Sequence, residues 1–230
     1  MLPALDERES VGGVVRELGQ TPVDRVIVVD NGSRDDTAGV AEAAGALVVH
    51  EPRRGYGSAC LTGIRHARSL GATVVVLMDA DGSDAPADLG RVLSPLLAGR
   101  ADLALGVRTP ESTERGAMTR TQRFGNWLAP RLMRVATGAR YRDMPPFKAI
   151  STAALDRLEL RDAGHGFTVE LLLKAHARGL RVSEVAVRCR RRSGGRSKVS
   201  GTLRGTLRAS VKIVTTIARH TLAMRLSAFT

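Results

Sequence analysis

The run Thr73-Val74-Val75-Val76-Leu77-Met78-Asp79-Ala80-Asp81 decides the fold of this chain. Four strongly apolar residues follow a threonine, three of them β-branched, the composition of a buried parallel strand. The strand ends in two carboxylates one residue apart. In open α/β sheets, ligands gather beyond the carboxyl ends of strands. Acids at i and i+2 in an irregular turn can both approach one hard divalent cation, and Mg²⁺ takes one or two carboxylates beside substrate phosphates. A lone Asp-x-Asp reads more simply as a cap followed by an Asp-Gly turn. The fully apolar strand in front of Asp79 and Asp81 favours the cation.

Working outward, the periodicity alternates. Arg25 to Val29 reads as a strand ending at Asp30, followed by a helix from Asp35 to Ala44 with Ser33 as N-cap. A short strand over Ala46–Val49 and a helix over Ser58–Leu70 come before the decisive strand. A helix from Pro86 to Ala98, with proline in the first turn, and a strand over Ala101–Leu105 come after it. This alternation predicts a parallel sheet with right-handed crossovers. Beyond residue 107 the rhythm breaks. A polar loop (Thr109–Thr119) leads to helices near Arg123–Ala136 and Phe167–Arg178, then a strand over Arg181–Val187. No repeat or low-complexity linker interrupts the chain, so one unit spanning 1–230 is expected.

Composition narrows the function. With 230 residues, 43% of them hydrophobic, the chain can bury a sizeable core, built from aliphatic residues because only 3% are aromatic. Cys60 and Cys189 fit no metal spacing and point to a reduced, cytoplasmic setting rather than a disulfide scaffold. No apolar run reaches the roughly 18 residues needed to span a bilayer, and none resembles a signal-peptide core, so a soluble or peripheral protein is expected.

Charge is unevenly spread. Residues 1–100 carry 10 Lys/Arg and 14 Asp/Glu, a net of −4; residues 101–230 carry 25 and 9, a net of +16, which together give the overall +12. Nine bases and no acid lie between Arg188 and Lys212, implying an anionic partner: nucleic acid, phosphate esters or an acidic membrane surface. Nucleic acid is disfavoured, because no aromatic stacking residues lie near the block and it would leave the Asp79/Asp81 turn unexplained. From Leu203 onward, Arg204, Arg208, Lys212 and Arg219 run beside Leu207, Val211, Val214, Ile217 and Ala218. That spacing suits an amphipathic helix, either on anionic lipid or packed on the domain.

Two further strand ends carry polar residues suited to a nucleotide. Asp30-Asn31-Gly32-Ser33 forms a turn in which Asp30 can accept from a base or ribose and Gly32 permits positive φ. Arg53-Arg54-Gly55-Tyr56-Gly57-Ser58 places two arginines and two glycines before a helix, which suits a diphosphate. Cys60 at the third glycine position departs from the dinucleotide fingerprint.

These segments occur in an order and spacing that resemble the family 2 glycosyltransferases of the GT-A fold, and more narrowly the polyprenyl-phosphate (dolichyl-phosphate) hexose synthase branch. The motifs are Pro3-Ala4-Leu5-Asp6-Glu7, Val28-Val29-Asp30-Asn31-Gly32-Ser33, Arg54-Gly55-Tyr56-Gly57-Ser58 and Met78-Asp79-Ala80-Asp81-Gly82. Downstream, Asp143-Met144-Pro145-Pro146-Phe147-Lys148, Gly166-Phe167-Thr168-Val169-Glu170 and Arg191-Arg192-Ser193-Gly194-Gly195-Arg196-Ser197-Lys198 continue the likeness over nearly the whole chain. The resemblance implies a GT-A-like, Rossmann-type, mostly parallel α/β sheet flanked by helices. Within it, 1–106 would hold the nucleotide sugar, 107–200 the acceptor, and 201–230 would form the C-terminal amphipathic helix.

It further implies roles. Pro3, Ala4, Asp6 and Glu7 would line the base and ribose pocket beside Asp30, with Arg54 and Gly55 near the base or diphosphate. Asp79 would lie near the ribose and sugar, and Asp81 on a Mg²⁺ or Mn²⁺ ion supported by Asp79. Asp79, Asp81 and Asp143 are the expected catalytic acids, while Arg192, Ser193, Arg196, Ser197 and Lys198 would grip the acceptor phosphate. The expected reaction is inverting transfer of a hexose from a UDP- or GDP-sugar to a polyprenyl phosphate at the cytoplasmic membrane face. The alternative is a family 2 enzyme with a hydroxyl acceptor. A lipid monophosphate is largely a dianion near neutral pH and needs orientation more than a base, which the arginine-rich acceptor half supplies. The family has Asn-Glu where this chain has Asp6-Glu7, and a full first strand where this chain has only Met1-Leu2 before Pro3, a shortfall expected to weaken that edge.

Overall fold

The computed structural model describes residues 1–195, 213–219, 221 and 222. Three parallel strands, β1 (Leu2–Ala4), β2 (Ile27–Asp30) and β3 (Leu47–His50), pair in the order β1-β2-β3. A second sheet runs β4 (Val74–Leu77), β6 (Lys148–Ser151), β5 (Leu103–Thr113) and β7 (Val182–Cys189). Met1 joins the two sheets: its amino group donates to the Val76 carbonyl at 2.6 Å, and its carbonyl accepts from Met78 N at 3.2 Å. The short first strand is therefore bonded on both sides, with Leu2, Pro3 and Ala4 in register with Val28, Val29 and Asp30.

The sheet is mixed rather than parallel throughout. β6 runs antiparallel to both β4 and β5, while β5 and β7 are parallel. The helices are α1 (Val11–Gly19), α2 (Thr37–Ala43), α3 (Tyr56–Ser69), α4 (Leu89–Leu97), α5 (Arg120–Thr137), α6 (Thr152–Leu158) and α7 (Phe167–Ala177). On α1, Val11, Val14, Val15 and Leu18 make an i, i+3, i+4, i+7 stripe, and all four are buried. Two apolar layers cover the faces of the sheet. One gathers Ile27, Val29, Cys60, Leu77, Leu103, Phe167 and Leu171. The other gathers Leu2, Val28, Met78, Ala104, Phe147 and Val187.

Several expectations are corrected. Asp36, not Ser33, is the N-cap residue of α2; the Ser33 hydroxyl instead accepts from Asp6 N at 2.9 Å. α5 begins three residues earlier than its periodicity suggested, because Thr119 and Gln122 form a reciprocal capping box. The expected polar loop at 109–113 is a continuation of β5, with an irregularity between Arg108 and Thr113. Of the C-terminal helix expected over 201–230, residues 213–219, 221 and 222 are described; there Thr216 and Ile217 are buried while Val214 stays exposed.

Candidate active site

The carboxyl ends of β1, β2 and β4 open into one cavity of about 670 Å³. Pro3, Ala4, Glu7, Arg54, Gly55, Asp79 and Asp81 line it together with Arg192, so most of the expected donor residues share one space. Asp79 and Asp81 leave the end of β4 as expected. Asp84, not foreseen, joins them by accepting from the Asp79 backbone N–H at 3.1 Å.

Burial pushes the Asp79 carboxyl well above its ordinary range, with the charges of Asp81 and Asp84 adding to the rise. Burial likewise pushes Asp84 up to about 6. Two buried acids that resist ionisation, with the charge of Asp81 acting on both, make a position that a divalent cation would relieve. No group of three metal-ligating side chains is assembled among the described residues. The donor set therefore fits an ion that takes one or two carboxylates here and its other oxygens from a diphosphate, as Mg²⁺ and Mn²⁺ do.

Arg192 occupies this acidic corner. Its Nη1 donates to Asp81 Oδ2 at 2.6 Å and its Nη2 to both Glu7 carboxylate oxygens at 2.7 Å. The strand-end turn and the basic loop are zipped further by Ser193 N donating to Asp81 O at 3.0 Å and Gly195 N to Glu9 Oε2 at 2.7 Å. Arg192 and Ser193, expected at the acceptor phosphate, thus meet Glu7 and Asp81; Arg196, Ser197 and Lys198 lie outside the described residues.

Asp6, Asp30 and Asp143 do not line the cavity. Asp6, at φ 51°, accepts from Arg34 N at 2.7 Å and ties the first loop to the second. Asp30 accepts from Ser33 N at 3.1 Å and lies 3.3 Å from His50 Nδ1. Asp143, expected as a catalytic acid, instead receives Arg108 in a bidentate pair at 2.7 and 2.8 Å and also the Met144 N–H at 2.7 Å. Arg108 is the member of this pair that reaches the cavity. Burial alone would lower its pKa, but the bond to Asp143 and the charges of Asp143 and Asp84 hold it above the usual arginine range. Asp143 is therefore committed to Arg108, which it holds in place.

The glycine-arginine loop also takes a different part. The N-terminal amides of α3 are already engaged: Gly57 N donates to Gly164 O at 3.1 Å and Ser58 N to Ala163 O at 2.9 Å. Cβ atoms on Gly55 and Gly57 would overlap the carbonyl oxygens of Ala163 and Asp162, so these glycines admit the close approach of protein backbone, while Gly55 also lines the cavity. Asn31 shapes the loop by accepting from Gly55 N at 2.8 Å and donating to Glu51 O and Arg53 O. Arg54 donates to Gly32 O at 2.6 Å and stays at the rim. The 161–164 segment is in turn held by Glu170, which accepts from Asp162 N at 2.6 Å and Arg161 N at 3.0 Å and pairs with Lys174 at 2.9 Å.

On the far wall the structure adds residues the sequence did not mark, Gln122 and Asn126 of α5 and His165, beside Thr168 of the 166–170 motif. Lys148 is fully buried behind that wall, 3.3 Å from Thr168 Oγ1, and burial lowers its pKa against the opposing pull of Cys60, Asp79 and Asp84.

Comparison with known proteins places the chain among glycosyltransferases. An uncharacterized glycosyltransferase of Mycobacterium tuberculosis (strain ATCC 25618 / H37Rv) is 41% identical over 210 residues, covering 90% of this chain and 91% of that one. The polyprenol monophosphomannose synthase of Mycolicibacterium smegmatis is 31% identical over 223 residues, covering 87% of this chain and 80% of that protein. The crystal structure of glucosyl-3-phosphoglycerate synthase from Mycobacterium tuberculosis with Mn²⁺, uridine diphosphate and glucosyl-3-phosphoglycerate superposes with a TM-score of 0.73 at 25% identity, covering 96% of this chain and 78% of that one. The Glycosyl transferase family 2 model matches residues 1–158, and the chain belongs to that family.

Proposed function

We propose that this enzyme transfers a hexose from a UDP- or GDP-sugar to the phosphate of a polyprenyl phosphate, with inversion at the anomeric carbon, at the cytoplasmic face of a membrane. The observation that carries the reading is one cavity lined both by the acids Asp79 and Asp81 and by Arg108, which Asp143 locks in place. The acids suit a cation that accompanies the donor diphosphate. The arginine suits an acceptor that arrives already charged. The relative that makes a polyprenol phosphosugar, by its name, and the neighbour solved with Mn²⁺ and uridine diphosphate support the acceptor and the donor side respectively.

Asp81, backed by Asp79, would hold Mg²⁺ or Mn²⁺, which would stabilise the charge growing on the departing nucleoside diphosphate. Pro3, Ala4 and Glu7 would border the nucleoside, with Asp6, Asp30 and Asn31 fixing the loops around it. When the diphosphate enters, Arg192 has a second anion to bind and would exchange one carboxylate partner for phosphate oxygens. Arg108 would orient the acceptor phosphate, whose own oxygen attacks the anomeric carbon. That oxygen carries no proton to be removed near neutral pH, so no general base is required of Asp143. Arg196, Ser197 and Lys198 would complete the anionic grip.

The rival is a soluble hydroxyl acceptor bearing a phosphate, in keeping with the phosphoglycerate-linked neighbour. Transfer of labelled sugar to a short polyprenyl phosphate, to the matching dephosphorylated alcohol and to phosphoglycerate separates the two. Product from the lipid phosphate alone is expected. Equal transfer to the alcohol would overturn the phosphate-acceptor mechanism, and product from phosphoglycerate alone would establish the rival.

A further inference from the structure

Helix α5 presents to solvent a face with the composition of an interface. Ala129, Pro130 and Met133 are buried, and Gln122 and Asn126 reach the cavity. On the opposite side Phe124, Trp127 and Val135 remain 60%, 50% and 87% exposed. At 3.6 residues per turn these three and Arg131 fall within one stripe roughly 80° wide. The Phe124 and Trp127 rings stack with centroids 5.8 Å apart, and the Arg131 guanidinium lies 4.3 Å over the indole. The helix carries Arg120, Arg123, Arg131 and Arg134 and no acid. Beside it, Val214 and Leu222 are also exposed, and an apolar groove of about 390 Å³ runs between them and Leu132, Val135 and Ala136.

We propose that this face docks on an anionic phospholipid bilayer. Phe124, Trp127, Val135 and Leu222 enter the boundary between headgroups and acyl chains, and Arg123, Arg131 and Arg134 meet the lipid phosphates. Three features favour lipid over a protein partner. Tryptophan and phenylalanine beside arginine, without any carboxylate, complement a surface of one sign. Arginine can bury its stem while its head stays at the phosphates. The indole, amphipathic and stacked, belongs at a wet apolar boundary. Because the same helix lends Gln122 and Asn126 to the cavity, a bilayer under its outer face lies at the cavity's rim. The purpose of such docking rests on the lipid-acceptor reading; the surface rests on its own composition. It also extends the membrane contact expected of the 201–230 segment to α5, beside which Val214 and Leu222 of that segment lie.

Trp127 is the sole tryptophan of the chain, so its emission reports this face directly. The full chain is titrated with phosphatidylcholine vesicles with and without phosphatidylglycerol, and then with lipids brominated on their acyl chains. Anionic vesicles should shift the emission to the blue, brominated chains should quench it, and added salt should weaken both. A Phe124→Ser/Val135→Ser variant, which keeps Trp127, should bind anionic vesicles about tenfold more weakly while binding uridine diphosphate as the parent does. Co-sedimentation with vesicles without any change in emission would overturn the proposal, placing the contact on another segment. So would emission already blue-shifted in a lipid-free dimer, which would make a second copy the occupant. If docking behaves as described but purified enzyme in detergent gives no product from a polyprenyl phosphate, the acceptor assignment fails and the surface stands.

Discussion

Arg192 shows how much a single side chain can settle. It bridges Asp81 and Glu7 where a cation is expected, so it acts as an internal counter-ion to the acids. Replacing it with glutamine should tighten Mn²⁺ binding in the absence of nucleotide, because an internal competitor is gone. The same change should weaken binding of the nucleoside diphosphate by about 1.5–3 kcal/mol, the usual contribution of a hydrogen bond to a charged group. Calorimetric titrations of each ligand check the two opposite shifts; equal weakening of both would show that Arg192 only supports the loop. Asp81→Asn should cut turnover by orders of magnitude with the melting temperature little changed, and activity undiminished by EDTA would refute the metal assignment. Asp143→Ala should be costly in another way. It leaves Arg108, whose side chain is 14% exposed, buried without its partner, a loss of about 3–5 kcal/mol in urea unfolding. Glu170 supplies a pH signature. Burial opposes its ionisation, but Lys174 and the amides of Asp162 and Arg161 outweigh that and hold its pKa below the usual 4.5. Its folded pKa is depressed, so its contribution is complete above the unfolded value and is lost as pH falls through the folded one. The melting temperature should therefore drop on acidification below about pH 4.5, and Glu170→Gln should flatten that part of the curve.

Among the elements, those with strong local signals were legible and those made by tertiary pairing were not. β2 and β4, short runs of valine, leucine and isoleucine ending in aspartates, announced themselves and their ligand-facing ends. β6, Lys148-Ala149-Ile150-Ser151, has four residues, one of them charged, and earns its place only by bonding antiparallel to β4 and β5. Nothing local marks that reversal, so the mostly parallel sheet was legible but the place of its antiparallel strand was not. α1 was hidden by Gly12-Gly13, poor helix formers that here allow close packing: a Cβ on Gly12 would lie 2.9 Å from Val40 Cγ1. At Gly55 and Gly57 the sequence shows that something can approach closely but not what, and the structure shows the 162–163 backbone there. Gly57→Ala tests this directly. The new methyl meets the Asp162 carbonyl rather than a ligand, so the cost should appear as about 1–3 kcal/mol of stability. Donor affinity should fall only through the displaced 161–164 segment. Loss of donor binding at unchanged stability would restore the phosphate-cradle reading. Arg108 and Asp84 had no motif to flag them, although an acid five residues after Asp79 on the same turn was a usable clue.

Across the whole molecule, the charge boundary near residue 100 is not a boundary of packing. Residues 1–100 and 101–230 differ in net charge, −4 against +16, yet they share both apolar layers. Ile27, Val29, Cys60 and Leu77 from the first half pack in one cluster with Leu105, Ile150, Phe167 and Leu172 from the second. Leu2, Val28 and Met78 join Ala104, Phe147 and Val187 in the other. The two sheets are stitched through Met1, and the basic loop at 190–195 returns to bond Glu7, Glu9, Glu17 and Asp81 in the first half. Neither half has a layer of its own to retain if the other unfolds. Thermal unfolding should therefore be one cooperative transition, with calorimetric and van't Hoff enthalpies in agreement. Uridine diphosphate with Mn²⁺ should raise that entire transition, by about 2.7 kcal/mol at a free ligand concentration 100 times its dissociation constant. Cleavage between residues 106 and 107 should abolish it rather than release a stable donor-binding half. Two transitions, with only the earlier-sequence half responding to the nucleotide, would show instead that the charge boundary is also a folding boundary.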